Sequence, residues 1–282
     1  MSPVALITGT SSGIGLATAV VAAKSGFTTV ATMRDVSKDV ALRAAAEEAG
    51  VELDIRALDV VDETSIANCI DAVVADHGSL DVLVNNAGRG FVGTIERVSM
   101  AEMRDVMEVN FFGVVAATKA AMPHLRASNG RVVTVTSVGG VVGQPFNEAY
   151  CAAKFAVEGF MESLAPVANT VGVMVSVVEP GPVATEFVNN VGVDVAKIFA
   201  EAGEYEPAMH EYLRHIMAEF ADPEAAQTAD QVAEVVLSAM TTDSPAFRHQ
   251  TSHWARTFAG YKLSDHDGSA VVGMTSGWLR GD

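Results

Sequence analysis

Short apolar runs alternate along this chain with longer stretches in which apolar residues recur every three or four positions. Runs of four to eight apolar residues fit buried strands, and the longer period fits amphipathic helices. Strands are expected over Val4–Thr8, Thr28–Thr32, Leu53–Leu58, Val82–Val84, Arg131–Thr136 and Val173–Val178. Helices are expected over Gly13–Ser25, Val40–Ala49, Ile66–Ala75, Ala101–Leu125, Glu148–Val167 and Ala229–Met240. Strict strand–helix alternation predicts an α/β fold with a doubly wound parallel sheet, and uniformly apolar strands predict helices on both of its faces.

The pattern changes near Asn189. From there to Pro223 it is helical, irregular and mixed in polarity, and the last forty residues show no clear period despite Phe247, Trp254, Phe258 and Trp278. One domain is expected, with residues 1–188 as its core and 189–282 as a lid and C-terminal completion.

Composition narrows the function classes. The chain has 282 residues, 18 Lys+Arg against 35 Asp+Glu, and a formal net charge of −17. Such a surface repels phosphate backbones and anionic headgroups, so nucleic-acid and membrane-surface partners are not expected. Two cysteines, Cys69 and Cys151, have no metal-site or disulfide spacing and read as free thiols. The opening residues lack a leader pattern and no run of 18 apolar residues occurs, which leads to the expectation of a cytoplasmic protein.

The first strand ends in Thr8-Gly9-Thr10-Ser11-Ser12-Gly13-Ile14-Gly15, and a helix begins there. Gly9 permits a tight turn, Gly13 lets backbone approach a pyrophosphate, and Gly15 permits close helix–strand packing. A helix N-terminus adds unpaired N–H groups and a positive dipole end. As the first βα turn of the chain, this reads as a Rossmann-like dinucleotide site. The ribose 2′ position is read at the end of the second strand, where the chain has Arg34 and Asp35. Arg34, with Ser11 or Ser12, suits a 2′-phosphate and favours NADP(H). Asp35 suits a 2′-hydroxyl and keeps NAD(H) open.

Tyr150 and Lys154 stand four residues apart at the start of a helix, so phenol and ammonium share a face. A nearby cation, together with an oxidised nicotinamide, favours the phenolate and brings the group toward general acid–base use. Ser137 ends the fifth strand, Asn86-Ala87-Gly88 ends the fourth, and Asn110 lies inside the long helix. Strand C-terminal ends are where ligands bind in open parallel sheets.

In their order and spacing, the Gly-rich turn, Asn85-Asn86-Ala87-Gly88, Asn110, Ser137, Tyr150-x-x-x-Lys154 and Pro180-Gly181 resemble the short-chain dehydrogenase/reductase family over about residues 3–187. The resemblance implies hydride transfer between NAD(P) and a carbonyl or alcohol. It implies Tyr150 as proton donor in reduction, Lys154 as binder of the nicotinamide ribose and Ser137 as orienter of the carbonyl. Asn110 would hold a relay water. Asp59 and Val60 would meet the adenine, Asn86, Ala87 and Gly88 would shape the cofactor cleft, and Pro180, Gly181, Val183 and Thr185 would flank the carboxamide.

Ala31–Asp35, Ser137–Gly140, Gly143–Asn147 and Tyr150–Gly159 look like the branch that contains estradiol 17β-dehydrogenase and retinol dehydrogenase. That likeness implies NADP(H) and a hydrophobic secondary alcohol or ketone, steroid-, retinoid- or lipid-like. Val142, Pro145, Phe146 and Phe187 then wall an apolar pocket beside Ser137 and Tyr150, or else serve as core or subunit contacts. A homodimer or homotetramer is implied by resemblance, pairing the 101–125 and 148–167 helices. His210 and His215 share a helix face without a third ligand, so no metal is expected. A catalytically silent nucleotide-binding scaffold is the competing reading, disfavoured because Asn110, Ser137, Tyr150 and Lys154 are all present.

Overall fold

The computed structural model describes residues 2–184, 195–265, 267 and 269–280. Among the described residues, seven strands form one sheet: β1 (Val4–Thr8), β2 (Thr28–Met33), β3 (Asp54–Ala57), β4 (Val82–Asn85), β5 (Arg131–Val135), β6 (Met174–Glu179) and β7 (Arg248–Gln250). Their order is β3-β2-β1-β4-β5-β6-β7 and every pairing is parallel. The helices are α1 (Gly13–Lys24), α2 (Val40–Ala49), α3 (Glu63–His77), α4 (Met100–Met107), α5 (Gly113–Ser128), α6 (Glu148–Asn169), α7 (Val195–Ala202), α8 (Glu206–Ala221), α9 (Ala229–Thr241), α10 (His253–Leu263) and α11 (Ser269–Trp278).

Strand alternation explains the two cores. Val4 and Leu6 point to one face, where Ile70, Val73, Leu125, Val157 and Met161 of α3, α5 and α6 meet them. Ala5 and Ile7 point to the other, against Ala19 and Ala22 of α1, Leu42 of α2 and Val236 and Met240 of α9. Both faces are covered, so the central strands β1 and β4 read as nearly continuous apolar runs. Each large aliphatic side chain so buried contributes roughly 1.5–3 kcal/mol.

The single helix expected over 101–125 divides. A π-helical turn, Glu108–Phe112, separates α4 from α5, with the fully buried Asn110 inside it. The extra residue has a cause: the Asn110 amide donates to Val106 O at 3.1 Å and to Arg89 O at 2.9 Å, drawing the chain inward.

Beyond the sheet, α7, α8, α10 and α11 close over the loop that follows β5. Val138, Val142 and Phe146 from that loop share one apolar cluster with Met209 and Tyr212 of α8, Phe258 of α10 and Trp278 of α11. No helix among the described residues is long and apolar enough to cross a membrane.

Candidate active site

Strand order reverses between β1 and β4, which opens a crevice at their C-terminal ends. The Gly-rich turn lines it, and Thr8 and Asn86 set its shape. Thr8 Oγ1 accepts from the backbone N–H groups of Asn86 and Ala87, each at 3.0 Å. Asn86 Nδ2 donates to the carbonyls of Thr8 and Gly9, each at 2.9 Å. Gly9 has φ +72°, and a Cβ there would lie 2.7 Å from Ala87 Cα. A Cβ on Gly15 would collide with Gly9 O and Asn86 Nδ2. Gly13 has φ +58°.

This cradle fits a dinucleotide. The glycines remove side chains where an anion must approach, and the first N–H groups of α1, at Gly13, Ile14 and Gly15, lack partners within the helix. Ser11 and Ser12 flank it, both partly buried.

Arg34 is exposed just past β2. Asp35 is otherwise engaged: its Oδ1 accepts from Ser37 N at 3.0 Å and Ser37 Oγ at 2.7 Å, capping the short turn at Val36–Lys38. Those bonds hold the Asp35 carboxyl below its ordinary range. Asp59 Oδ1 accepts from Val61 N at 3.2 Å, and Val60 packs on Gly113 at the start of α5.

The groups expected for chemistry meet at the C-terminal edge of β5. Ser137 leaves the strand extended, and its Oγ accepts from Gly139 N at 2.9 Å. It also hydrogen-bonds Tyr150. Lys154 Nζ lies 5.9 Å from the centre of the Tyr150 ring and donates to Val135 O at 3.1 Å. A Cβ on Gly88 would touch both Asn110 Oδ1 (2.8 Å) and Lys154 Nζ (3.8 Å), so a bare backbone separates them. Asn110 Oδ1 accepts from Arg89 N at 3.1 Å.

The electrostatics differ from the sequence expectation. Burial, opposed by the Ser137 hydrogen bond, raises the Tyr150 phenol to about 12 rather than lowering it. Burial also brings the Lys154 amine down to about 8, with Glu158 opposing. Desolvation disfavours both charged forms and is the largest cause of each shift.

The Pro180-Gly181 segment lies beside Ser137: Pro180 O accepts from Val138 N at 2.9 Å, and a Cβ on Gly181 would sit 2.9 Å from the Trp254 ring. Val183 is buried and bridges in parallel to Gln227. Thr185 and Phe187 lie outside the described residues. Val142 and Phe146 are buried in the cluster under α8, and Pro145 is partly buried. Phe146 takes φ +59°, unusual for a bulky residue, and is held there by Gly93 N donating to its carbonyl at 2.9 Å and by an edge contact to Tyr212. His210 stacks on Phe199 and His215 on Trp278. No metal-binding cluster of His, Cys, Asp or Glu occurs among the described residues, and Cys69 and Cys151 are free and buried.

Sequence reasoning assigned no role to the Thr8 hydroxyl, to Trp254 or to Glu158. Thr8 was visible only as the first residue of the Gly-rich turn. Glu158 had a visible signal, a carboxylate four residues after Lys154.

These features define a nicotinamide-dependent oxidoreductase site. The chain belongs to the short-chain dehydrogenase family, whose model matches residues 3–196. It is 39% identical to human retinol dehydrogenase 8 over 96% of this chain and 88% of that one. It is 38% identical to human 17-beta-hydroxysteroid dehydrogenase type 1 over 95% of this chain and 83% of that one. Among solved structures it resembles a variant of actinorhodin polyketide ketoreductase bound to NADPH, with TM-score 0.74, 30% identity, and coverage of 89% of this chain and 96% of that one. The chain is thus an NAD(P)-dependent short-chain dehydrogenase/reductase acting on CH–OH groups.

Proposed function

We propose that the enzyme moves a hydride between NADP(H) and a bulky hydrophobic alcohol or ketone, steroid-, retinoid- or lipid-like. The observation that carries this reading is the meeting of Ser137, Tyr150 and Lys154 at one sheet edge, beside a glycine cradle that fits a dinucleotide.

A bound nicotinamide supplies the hydride in reduction and takes it in oxidation. In reduction Tyr150 gives its phenolic proton to the carbonyl oxygen, and in oxidation it takes that proton back. Ser137 Oγ orients the same oxygen and stabilises charge developing on it. Lys154 binds the ribose hydroxyls and supplies a cation next to the phenol. Asn110 spends both amide protons on Arg89 O and Val106 O, which leaves an Oδ1 lone pair for a relay water near Lys154. Asp59 and Val60 meet the adenine, Pro180, Gly181, Val183 and Thr185 flank the carboxamide, and Arg34 with Ser11 and Ser12 takes the 2′-phosphate. The engagement of Asp35 by Ser37 supports NADP(H), as does the NADPH bound by the similar ketoreductase.

The names of the two human relatives support an apolar substrate. So does the apolar cluster of Val142 and Phe146 with α8, α10 and α11. A cavity of about 200 Å³ opens among Glu219, Trp254, Phe258, Tyr261, Met274 and Trp278. None of Ser137, Tyr150 or Lys154 lines it, but Trp254 joins it to Gly181. We place the distal part of the substrate there and the reacting carbon at Tyr150. Phe187 and Pro145 are proposed to complete the wall.

Exposed Phe112, in the π turn before α5, and Phe155, two turns into α6, support a homo-oligomer that pairs these helices. Turnover of NADPH with steroid ketones, retinal and medium-chain ketones tests the function. Oxidation of NADPH faster than NADH on a bulky carbonyl is expected. Preference for NADH would return the ribose contact to Asp35, and no turnover with either would leave a nucleotide-binding scaffold.

A further inference from the structure

Further along the face that carries Tyr150 and Lys154, α6 bears a second buried ionisable group. Glu158 stands one turn beyond Lys154, and each is only 5% exposed. Opposite charges one turn apart face the same way, and little water lies between them to screen their attraction.

The surroundings of Glu158 come from three elements. On α6 itself are Lys154, the Tyr150–Cys151 turn and, one turn further, the exposed Glu162. On β6 is Glu179, fully buried. On β7 is Arg248, whose guanidinium lies 3.4 Å from Glu158 Oε2, 3.0 Å from Glu162 Oε2 and 3.1 Å from Glu179 Oε1. Gln250 Nε2 donates to Glu179 Oε2 at 2.8 Å. The facing strand β5 carries one titratable group, Arg131, whose guanidinium donates instead to Ala239 O and Thr242 O.

Glu158 is poorly satisfied within this cluster. Neither of its oxygens has an aligned hydrogen-bond donor. The hydroxyl of neighbouring Thr136 donates to Val178 O at 3.1 Å, and only by turning from that bond toward Glu158 does it favour the ionised carboxylate. Arg248 is shared among three carboxylates. A carboxylate chosen only for packing costs stability in such a place, since its lone pairs lose water and gain little. Glu158 also touches the catalytic loop: a Cβ on Gly140 would meet Glu158 Cγ and Lys154 O, each at 3.1 Å, so the turn that follows Ser137 rests on this side chain.

We propose that Glu158 is a positioning residue for proton transfer: with Arg248 as its anchor, it supplies the buried counter-charge that keeps Lys154 protonated beside Tyr150. The proposal rests on the enzymatic reading above. Burial and Glu179 push Glu158 toward its neutral form, to about 7, while Arg248 and Lys154 oppose that push, so its charge is present above neutral pH, where it opposes the loss of the Lys154 proton. The short, polar β7 thereby contributes to the site through a chain of charges, without reaching the substrate.

The direct test is an NMR titration of lysine labelled with ¹⁵Nζ, with the Lys154 signal assigned by its loss in Lys154→Met. The wild-type midpoint is expected near 8. Glu158→Gln should lower it by about one pH unit, equivalent to a tenfold change in the proton equilibrium. Arg248→Gln should lower it less, because Glu158 then gives up its charge more readily, and Glu158→Asp should restore part of the shift. Arg248→Gln also provides the same reading if Glu158→Gln does not fold. Midpoints equal across wild type and variants would overturn the proposal.

The pH profile of kcat in the reducing direction is the second readout. Its alkaline limb should move down with the Lys154 midpoint while KM for the carbonyl stays within about twofold. A shifted midpoint with an unmoved limb would also overturn the proposal. Absence of wild-type turnover would instead strike the enzymatic reading, and the titration distinguishes the two failures because it needs no turnover.

Discussion

Tyr150 illustrates how much a single side chain is asked to do in this cleft. Its phenol sits up at about 12 because burial disfavours the phenolate, with Ser137 as the opposing donor. In reduction the phenol must part with its proton, so a nearby cation is needed to bring it within reach of neutral pH. Tyr150→Phe should lower turnover by about a hundredfold to ten-thousandfold while leaving cofactor affinity nearly unchanged, as read by steady-state rates and by titration of NADPH fluorescence. Strong residual turnover would place the proton donor elsewhere. Arg34→Ala should raise KM for NADPH by about tenfold or more and leave KM for NADH in place, since a hydrogen bond to a charged phosphate contributes roughly 1.5–3 kcal/mol. Equal effects on both cofactors would contradict the 2′-phosphate assignment. At Gly15 any side chain collides with Gly9 O and Asn86 Nδ2, so Gly15→Ala should abolish cofactor binding or folding, and a variant that still binds NADPH normally would show that the turn yields.

At the scale of elements, the first six strands and the helices between them were legible because short strand-like runs alternate with longer helical patterns. The rest was not, for physical reasons particular to each piece. β7 is three residues, Arg248-His249-Gln250, with no apolar run, and it is a strand because β6 and the Arg248 ion pairs hold it there. The break between α4 and α5 is invisible to helical periodicity, since a π turn changes backbone bonding without disturbing the apolar face. Its cause is the amide of Asn110, bonded to Arg89 and Val106. Asn110→Ala should cost about 1–3 kcal/mol by stripping partners from buried backbone, measurable as a lower denaturation midpoint. An unchanged midpoint would mean the π turn does not need this side chain. The candidate site was legible as a set of residue types at set intervals, and Tyr150, Lys154 and Ser137 do meet. The sequence carried no sign of the burial that reverses the expected direction of the Tyr150 shift, because desolvation depends on what α8, α10 and the loop after β5 place around the crevice. α10 and α11 escaped reading because their apolar residues face a stack of rings (Trp254, Phe258, Trp278) rather than one flat sheet.

The whole molecule is strongly acidic, and among the described residues it buries two of its carboxylates, Glu158 and Glu179. Burial raises the Glu158 carboxyl from 4.5 to about 7, with Glu179 pushing the same way. The folded chain therefore holds that proton more tightly than the unfolded one. Stability from this group is fully present below about 4.5 and is lost as pH climbs through 7. Above that range the ionised side chain costs the folded state on the order of 3 kcal/mol relative to acid conditions, given 1.36 kcal/mol per pKa unit. Tm should fall from pH 5 to pH 8, and Glu158→Gln should fall less; parallel pH curves for the two proteins would show that Glu158 does not titrate in this window. The central claim concerns the molecule as a catalyst, and the most direct measurement is the rate of NADPH consumption by wild type and Tyr150→Phe with retinal and a steroid ketone. The account predicts turnover of at least one of these bulky carbonyls by the wild type and near-silence from the variant, which should still bind NADPH. Equal rates from both proteins, or none from the wild type with either cofactor, would contradict it.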